Sequence, residues 1–399
     1  MSGHVSSVFN PYDYGFHEDP YPTYAWLRAH APLYRNEELD FWALSRYSDV
    51  VAGFRDNTRL SSANGVSLDP LAYGRHAHRV MSFLAMDEPR HLRMRSLVSR
   101  GFTARRVQQL EERVRELTRQ HLDAVLDKGE FDFVGEFAGK LPMDVISELL
   151  GVPAADRDRL RALADAVMHR AEGVLDVPPS AVEASLELAK YYAEMVAQRR
   201  DRPGDDLVSA LLDAEIDGEG LTAEDVIGFL FLMVVAGNET TTKLLGNALY
   251  WAWRTPGELG RVLDDPSLVP SWIEETLRYD TSSQIIVRTA AGDLDYHGGT
   301  VPAGARVLLL IGSANRDEDA FADGDTFRIG REPEHRVASF GAGAHFCLGA
   351  SLARLEARVA LTEIVTRIAG CEVDEAAAER VHSTNVRGFA TLPVRVAAR

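Results

Sequence analysis

The strongest helical period in the chain lies between residues 221 and 255. Phe229, Leu232, Ala236 and Thr240 follow one another at +3, +4 and +4, so they share one face of a helix. Thr222 is a good N-cap, and Glu224 and Asp225 suit the positive end of the helix dipole. Pro256 and Gly257 stop the run. At roughly 1.5 Å per residue such a helix is about 50 Å long, enough to cross a domain. Elsewhere, residues 20–31 predict a short helix between Pro20 and Pro32, 33–35 and 41–45 a pair of strands, and 48–54 another helix. Residues 61–84 have no clear period and contain Gly65, Pro70 and Gly74, which predicts a long loop of the sort that often carries function. Helical pattern dominates from 89 to 257. Residues 307–311 form a short apolar run suited to a buried strand, 315–331 read as loop, and 387–396 as short strand and turn. The predicted fold class is mainly α with a minor β part, without internal repeats.

Length and composition narrow this picture. At 399 residues the chain exceeds the size at which single cores stop growing, yet no linker is visible, so residues 1–399 are expected to form one domain. The net charge of −17 argues against a nucleic-acid partner. Against that background Arg90, Arg93, Arg95, Arg100, Arg105 and Arg106 fall within 17 residues that hold no acid. Such a run is either a solvated helix face or a docking patch. Only two cysteines occur, Cys347 and Cys371, so no disulfide framework is expected and a reducing cytoplasm fits. The N-terminus lacks a basic start followed by an apolar run. The longest apolar run, 226–236, is too short to span a bilayer, so no membrane anchor is expected.

The candidate chemistry centres on Phe340-Gly341-Ala342-Gly343-Ala344-His345-Phe346-Cys347-Leu348-Gly349. Helix formers without Gly or Pro follow from Ala350 to Leu361, so a helix is expected to begin just after Cys347. A thiolate there is favoured by free backbone N–H groups and the helix dipole. Gly341 and Gly343 permit close approach of the backbone to something large and flat. A second cluster closes the apolar stripe of the long helix, in Ala236-Gly237-Asn238-Glu239-Thr240-Thr241. A third is the i, i+3 pair Glu275 and Arg278.

Together these segments resemble, over nearly the whole chain, the cytochrome P-450 family in its soluble bacterial form. The resemblance implies a haem b (iron protoporphyrin IX) held between the long helix and the helix after the cysteine loop. Cys347 would be the axial iron ligand, with Phe340, Gly341, His345 and Gly349 around it and Ala236 against the opposite face. Glu239 and Thr240 match the family's acid–alcohol pair, which helps supply the protons that O–O cleavage requires. His91 and Arg95, and Arg288, match its propionate partners. Glu275 and Arg278 match its buried E-x-x-R pair, and Arg331 best matches the third member. Arg328 stands where an acid is usual, and the proline that usually follows the E-x-x-R helix is absent from Tyr279-Asp280-Thr281-Ser282.

By the same resemblance the chain is a monooxygenase that takes electrons from NAD(P)H through a separate ferredoxin and its reductase. It would hydroxylate or epoxidise a mid-sized organic molecule, with a place in natural-product metabolism. Pocket walls are expected from residues 61–85, the middle helices near 165–190, Phe231, Leu232, Val235 and Ala236, the loop of Ser282, Ser283, Gln284, Ile285 and Ile286, and Asn385 and Val386. Their mixture of apolar and polar groups suits a functionalised ligand. Oxidative C–C or C–O coupling is an alternative outcome of the same cofactor, and a non-catalytic haem sensor or carrier is an alternative of another class.

Overall fold

The computed structural model describes residues 9–216, 219–332 and 334–399. Its axis is the helix Ala223–Arg254. Thr222 and Asp225 form a reciprocal capping box, the Thr222 hydroxyl accepting from Asp225 N–H and the Asp225 carboxylate from Thr222 N–H. At the other end Gly257, with φ at +81°, turns the chain into the helix Glu258–Asp264.

The long helix is buried on nearly every face from Asn238 to Tyr250, because neighbours surround it. Toward its N-terminal half, Phe229, Leu230 and Val234 share an apolar core with residues such as Leu160, Leu188 and Tyr192. These come from the helices Ala154–Met168 and Pro179–Asp201. Toward its C-terminal half, Leu244, Leu245 and Ala248 share a second core with Trp272 and Leu361. Those residues belong to the helices Val269–Tyr279 and Ala350–Arg367.

A five-stranded sheet flanks the helices in the order Leu33–Asn36, Phe41–Leu44, Arg306–Leu310, Ile285–Ala290, Leu60–Ser61. The first two strands are antiparallel with Tyr34 opposite Ala43, the second and third run parallel, and Leu308 lies opposite Val287 in the next antiparallel pair. The architecture is mainly α with a minor β part, as expected, and differs in detail. Residues 61–84 are not featureless: Pro70–Ala72, His78–Met81 and Ser82–Ala85 each close a short helical turn. The helical region 89–257 is interrupted at Glu130–Asp132, where three residues pair with Pro393–Ala398. So short a strand leaves little local period, and its partner is distant in sequence. Among the described residues no helix is long and apolar enough to cross a membrane.

Candidate active site

Between the long helix and the cysteine loop lies a narrow slot. Ala236, Gly237, Thr240 and Thr241 form one wall; Phe340, Gly341, Cys347 and Gly349 form the other. Two glycines flatten these walls. A Cβ placed on Gly237 or on Gly349 would meet no protein atom within 4 Å, so any side chain there would project into open space. Gly343 differs from expectation. A Cβ there would come 2.9 Å from Phe54 O, so this glycine packs the loop against the helix Tyr47–Arg55 rather than against the slot. Gly341 and Gly343 have φ at +67° and +68°, which also requires glycine.

The loop is closed by the hydrogen bond from Cys347 N–H to Phe340 O, 2.9 Å long. The helix Ala350–Arg367 starts three residues later, with Gly349 at its N-cap. Cys347 is enclosed by protein, and the surface it exposes is turned to the slot. Burial pushes its thiol up, against the N–H of Gly349, the Arg95 guanidinium and the N–H of Ala350, which pull it down. The helix start therefore favours the thiolate as expected, but burial outweighs it, and a metal cation bound at the sulfur would favour the thiolate further. Among the described residues no cluster of three or more His, Cys, Asp or Glu could hold a metal ion. A metal at Cys347 must bring most of its other ligands with it.

One edge of the slot gathers cationic and neutral nitrogen donors. The carboxylate in contact with them is Glu88, 3.3 Å from His91 Nδ1, which leaves His91 Nε2 without a partner. His91 and Arg288 are each 1 % exposed and His345 8 %. His91 Nε2, Arg95 Nη1, Arg288 Nε and His345 Nδ1 are all buried without a hydrogen-bond partner. The rings of His91 and His345 lie 3.9 Å apart. Burial pushes His345 down to about 2, reinforced by Arg288, His91 and Arg95, and burial pushes Arg288 down to about 10. Buried donors without acceptors are costly. The arrangement suits a flat group with anionic oxygens at one edge.

Glu239 and Thr240 do not face the same space. Thr240 lines the slot, and its hydroxyl donates back to Ala236 O at 2.7 Å. Its own carbonyl accepts from Ser282 Oγ at 2.7 Å. Glu239 lines a separate polar cavity of about 840 Å³ on another side of the helix, where its Oε2 lies 3.3 Å from Lys243 Nζ. Burial would raise Glu239, but Lys243 holds it below the usual carboxylate range.

The ion-pair residues come together. Arg278 donates to both Glu275 oxygens at 2.8 Å, and Arg331 Nε lies 3.3 Å from Glu275. The Arg328 N–H also donates to Glu275, at 2.8 Å, while its side chain is exposed, so the departure from the usual acid leaves the cluster intact.

Of the expected pocket walls, Phe83 and Leu84 from the 61–85 stretch, Leu232, Ala236, Ser282, Ser283 and Ile286 line the slot. Six of the named side chains do not. Phe231 and Val235 pack into the helical core, and Ile285 into the core on one face of the sheet. The Gln284 amide donates to Thr281 O at 2.8 Å and lies over Gly312. The Asn385 amide donates to Ile285 O at 3.1 Å, and Val386 lines the other cavity. Met233, Gly237 and Glu356 line the slot unforeseen. Gly237 stood inside the motif already singled out. In the basic run, Arg90 pairs with Asp225 at 3.4 Å and Arg95 donates to Phe346 O, while Arg105 and Arg106 are exposed. The side chain of Arg100 lies outside the described residues.

Comparison with known proteins points the same way. The family model for Cytochrome P450 matches residues 180–373. A protein of Mycobacterium tuberculosis bearing the provisional name cytochrome P450 123 is 62 % identical over 397 residues, covering 100 % of this chain and 99 % of that one. Cytochrome P450 109 of Bacillus spizizenii is 38 % identical over 384 residues, covering 94 % and 92 %. The crystal structure of CYP109E1 from Bacillus megaterium in complex with testosterone is 32 % identical and covers 94 % of this chain and 97 % of that one, with a TM-score of 0.88.

Proposed function

This chain belongs to the cytochrome P450 family, and from that premise we propose specific roles for its residues and a class of substrate. The protein is a haem monooxygenase. Haem, when bound, supplies the redox-active iron at which O₂ is activated. The observation that carries the assignment of residues is the set of four buried, partnerless donors beside a slot that Cys347 opens onto.

Cys347 would hold the haem iron through its sulfur, with the thiolate charge supported by the N–H groups of Gly349 and Ala350. Ala236, Gly237, Phe340, Gly341 and Gly349 would form the walls for the macrocycle. His91, Arg95, Arg288 and His345 hold its two carboxylates, which satisfies the orphaned nitrogens. Thr240 is the hydroxyl facing the reacting side, and Glu239 is the acid behind it, in a cavity of its own. Glu275, Arg278 and Arg331 brace the strand-and-loop framework before the cysteine loop.

Electrons come from NAD(P)H by way of a ferredoxin and its reductase; the exposed Arg105 and Arg106 in a chain of net charge −17 suit a small acidic carrier. Two unpaired thiols, Cys347 and Cys371, suit a cytoplasmic setting. The slot above Thr240 is more apolar than the sequence suggested. Gln284 and Asn385 are turned away, and Ser282 Oγ is engaged with Thr240 O. Phe83, Leu84, Leu232, Met233 and Ile286 remain, with Ser283. The substrate is a mid-sized, largely apolar scaffold with few polar groups, of the kind met in natural-product metabolism. The relative crystallised with testosterone is consistent with that class. The test is a substrate screen by shift of the haem absorption band, followed by turnover with a surrogate ferredoxin system. Products that gain one oxygen atom support monooxygenation of this class. Loss of two hydrogens indicates coupling, and no turnover of any ligand that shifts the band contradicts the proposal.

A further inference from the structure

On the side of the long helix where the 840 Å³ cavity lies, Glu239 is 2 % exposed, and its Oε1 has no conventional donor. Asp165, in the last turn of the helix Ala154–Met168, brings its carboxyl within hydrogen-bonding reach of Glu239. Two carboxyls in contact cannot both be ionised at low cost; one proton between them removes the repulsion and supplies the missing donor. Lys243, itself buried, settles which of them keeps the charge. It sits 3.3 Å from Glu239 Oε2 and favours the Glu239 anion, leaving the proton on Asp165. Burial first and the Glu239 carboxylate second push Asp165 up to about 8; Lys243 and Arg161 act in the other direction. Although enclosed by protein, Asp165 has exposed surface on the cavity, where water moderates that upward push.

Of the other charges around the cavity, Arg161 acts on both carboxyls in the same direction as Lys243 but more weakly. Arg161, on the helix of Asp165, donates to Gly135 O at 3.2 Å. From the segment after the last long helix, Arg380 is drawn to Asp280 at 3.5 Å, beside Glu379 and His382. Glu18 and His169 complete the polar rim.

We propose that Asp165 is a positioning residue for proton delivery: it shares one proton with Glu239 and passes it on when the reaction draws on that acid. The transfer balances. A proton leaves Asp165 for Glu239 Oε1, Asp165 becomes the carboxylate, and cavity water restores its proton. Glu239, now the acid, is the donor behind Thr240. The inference rests on the monooxygenase reading, in which protons are consumed, but the dyad itself can be measured without turnover.

The experiment is infrared spectroscopy of the haem-loaded protein at neutral pH, with and without carboxyl-¹³C aspartate. A protonated-carboxyl band that moves with the aspartate label is expected. It should vanish in Asp165→Asn, and in Glu239→Gln it should fall severalfold, because loss of the neighbouring anion lets Asp165 ionise. Glu356, pushed up to about 8 by burial, supplies an unlabelled band that should persist in both variants and reports an intact fold. In turnover, Asp165→Asn should lower the yield of product per NAD(P)H on the order of tenfold and flatten its dependence on pH, while Asp165→Glu restores both. An aspartate band indifferent to Glu239→Gln, the absence of such a band, or an unchanged pH profile in Asp165→Asn would overturn the proposal. A wild-type protein without a thiolate-type carbon monoxide spectrum would instead contradict the cysteine assignment and leave the infrared result for the dyad standing.

Discussion

Replacing Arg288 with methionine should change the haem-loaded and the haem-stripped protein in opposite directions. Arg288 is wholly buried on the strand Ile285–Ala290. Its Nη1 donates to Val287 O at 3.0 Å, its guanidinium lies 5.6 Å from the Phe54 ring centre, and its Nε has no partner. Burial pushes it from 12.5 down to about 10. At 1.36 kcal/mol per pKa unit, that shift corresponds to a penalty of about 3 kcal/mol for keeping the charge inside the fold. The sign follows from linkage. The folded state holds this proton less tightly than the unfolded chain, so the penalty is fully present at neutral pH and fades only as pH rises past the folded value. A propionate beside it relieves that penalty at a comparable cost of desolvating its own carboxylate, and the charge-assisted hydrogen bond of about 1.5–3 kcal/mol is the net gain. Arg288→Met should therefore weaken haem retention by about 10- to 100-fold, read as the rate of haem transfer to an acceptor globin. Once haem is extracted, the variant should resist urea better than the wild type, by about 1–2 kcal/mol after the lost Val287 bond is deducted. A variant that keeps haem as tightly, or that is destabilised in both forms, would refute the propionate role.

Asp280, wholly buried, accepts from Tyr21 Oη at 2.6 Å, Trp251 Nε1 at 2.7 Å and Arg387 Nε at 2.7 Å. Asp280→Asn should cost about 3–5 kcal/mol in denaturant unfolding, because two buried arginines lose their counter-charge. Burial alone would raise Asp280, yet Arg387 and Arg380 hold it far below the usual carboxylate range. Its contribution is thus complete above about pH 4 and is lost as pH falls toward the folded value, so wild type and variant should converge in acid, as urea midpoints measured against pH will show. Thr240→Ala should leave substrate-induced spectral shifts near normal while NAD(P)H consumption yields peroxide in place of product; coupled turnover would make the hydroxyl merely structural. Reversing charge at the exposed Arg105 and Arg106 should slow ferredoxin-dependent reduction and flatten its fall with salt, as stopped-flow rates across ionic strength will test.

What the sequence disclosed was what local chemistry encodes. The long helix is bounded at Ala223 and Arg254 within two residues of expectation, since its capping box and its Pro256-Gly257 stop are both local signals. The cysteine loop was legible because its glycines and helix start fall within a few residues of one another. Direction was harder to read than residue type. Glu239 and Thr240 are neighbours in sequence, so they point about 100° apart on a helix and enter different cavities. Helical rotation likewise turns Leu232 and Ala236 to the slot and Phe231 and Val235 to the core. In the strand Ile285–Ala290 the pleat puts Ile286 in the slot and Ile285 on the other face. After the E-x-x-R helix, where the usual proline is absent, Asp280 bonds to Tyr21, Trp251 and Arg387; these bonds join residues far apart in the chain and leave no local pattern.

The proposed chemistry turns on Cys347 binding iron as a thiolate. The absorption spectrum of the dithionite-reduced, carbon monoxide-bound protein, wild type beside Cys347→Ala, reads that bond without an intermediary. The far-red-shifted band of a thiolate-ligated haem is expected in the wild type and its loss in the variant, with some haem still retained by His91, Arg95 and Arg288. That band surviving in Cys347→Ala, or missing from a haem-replete, folded wild type, would contradict the thiolate assignment.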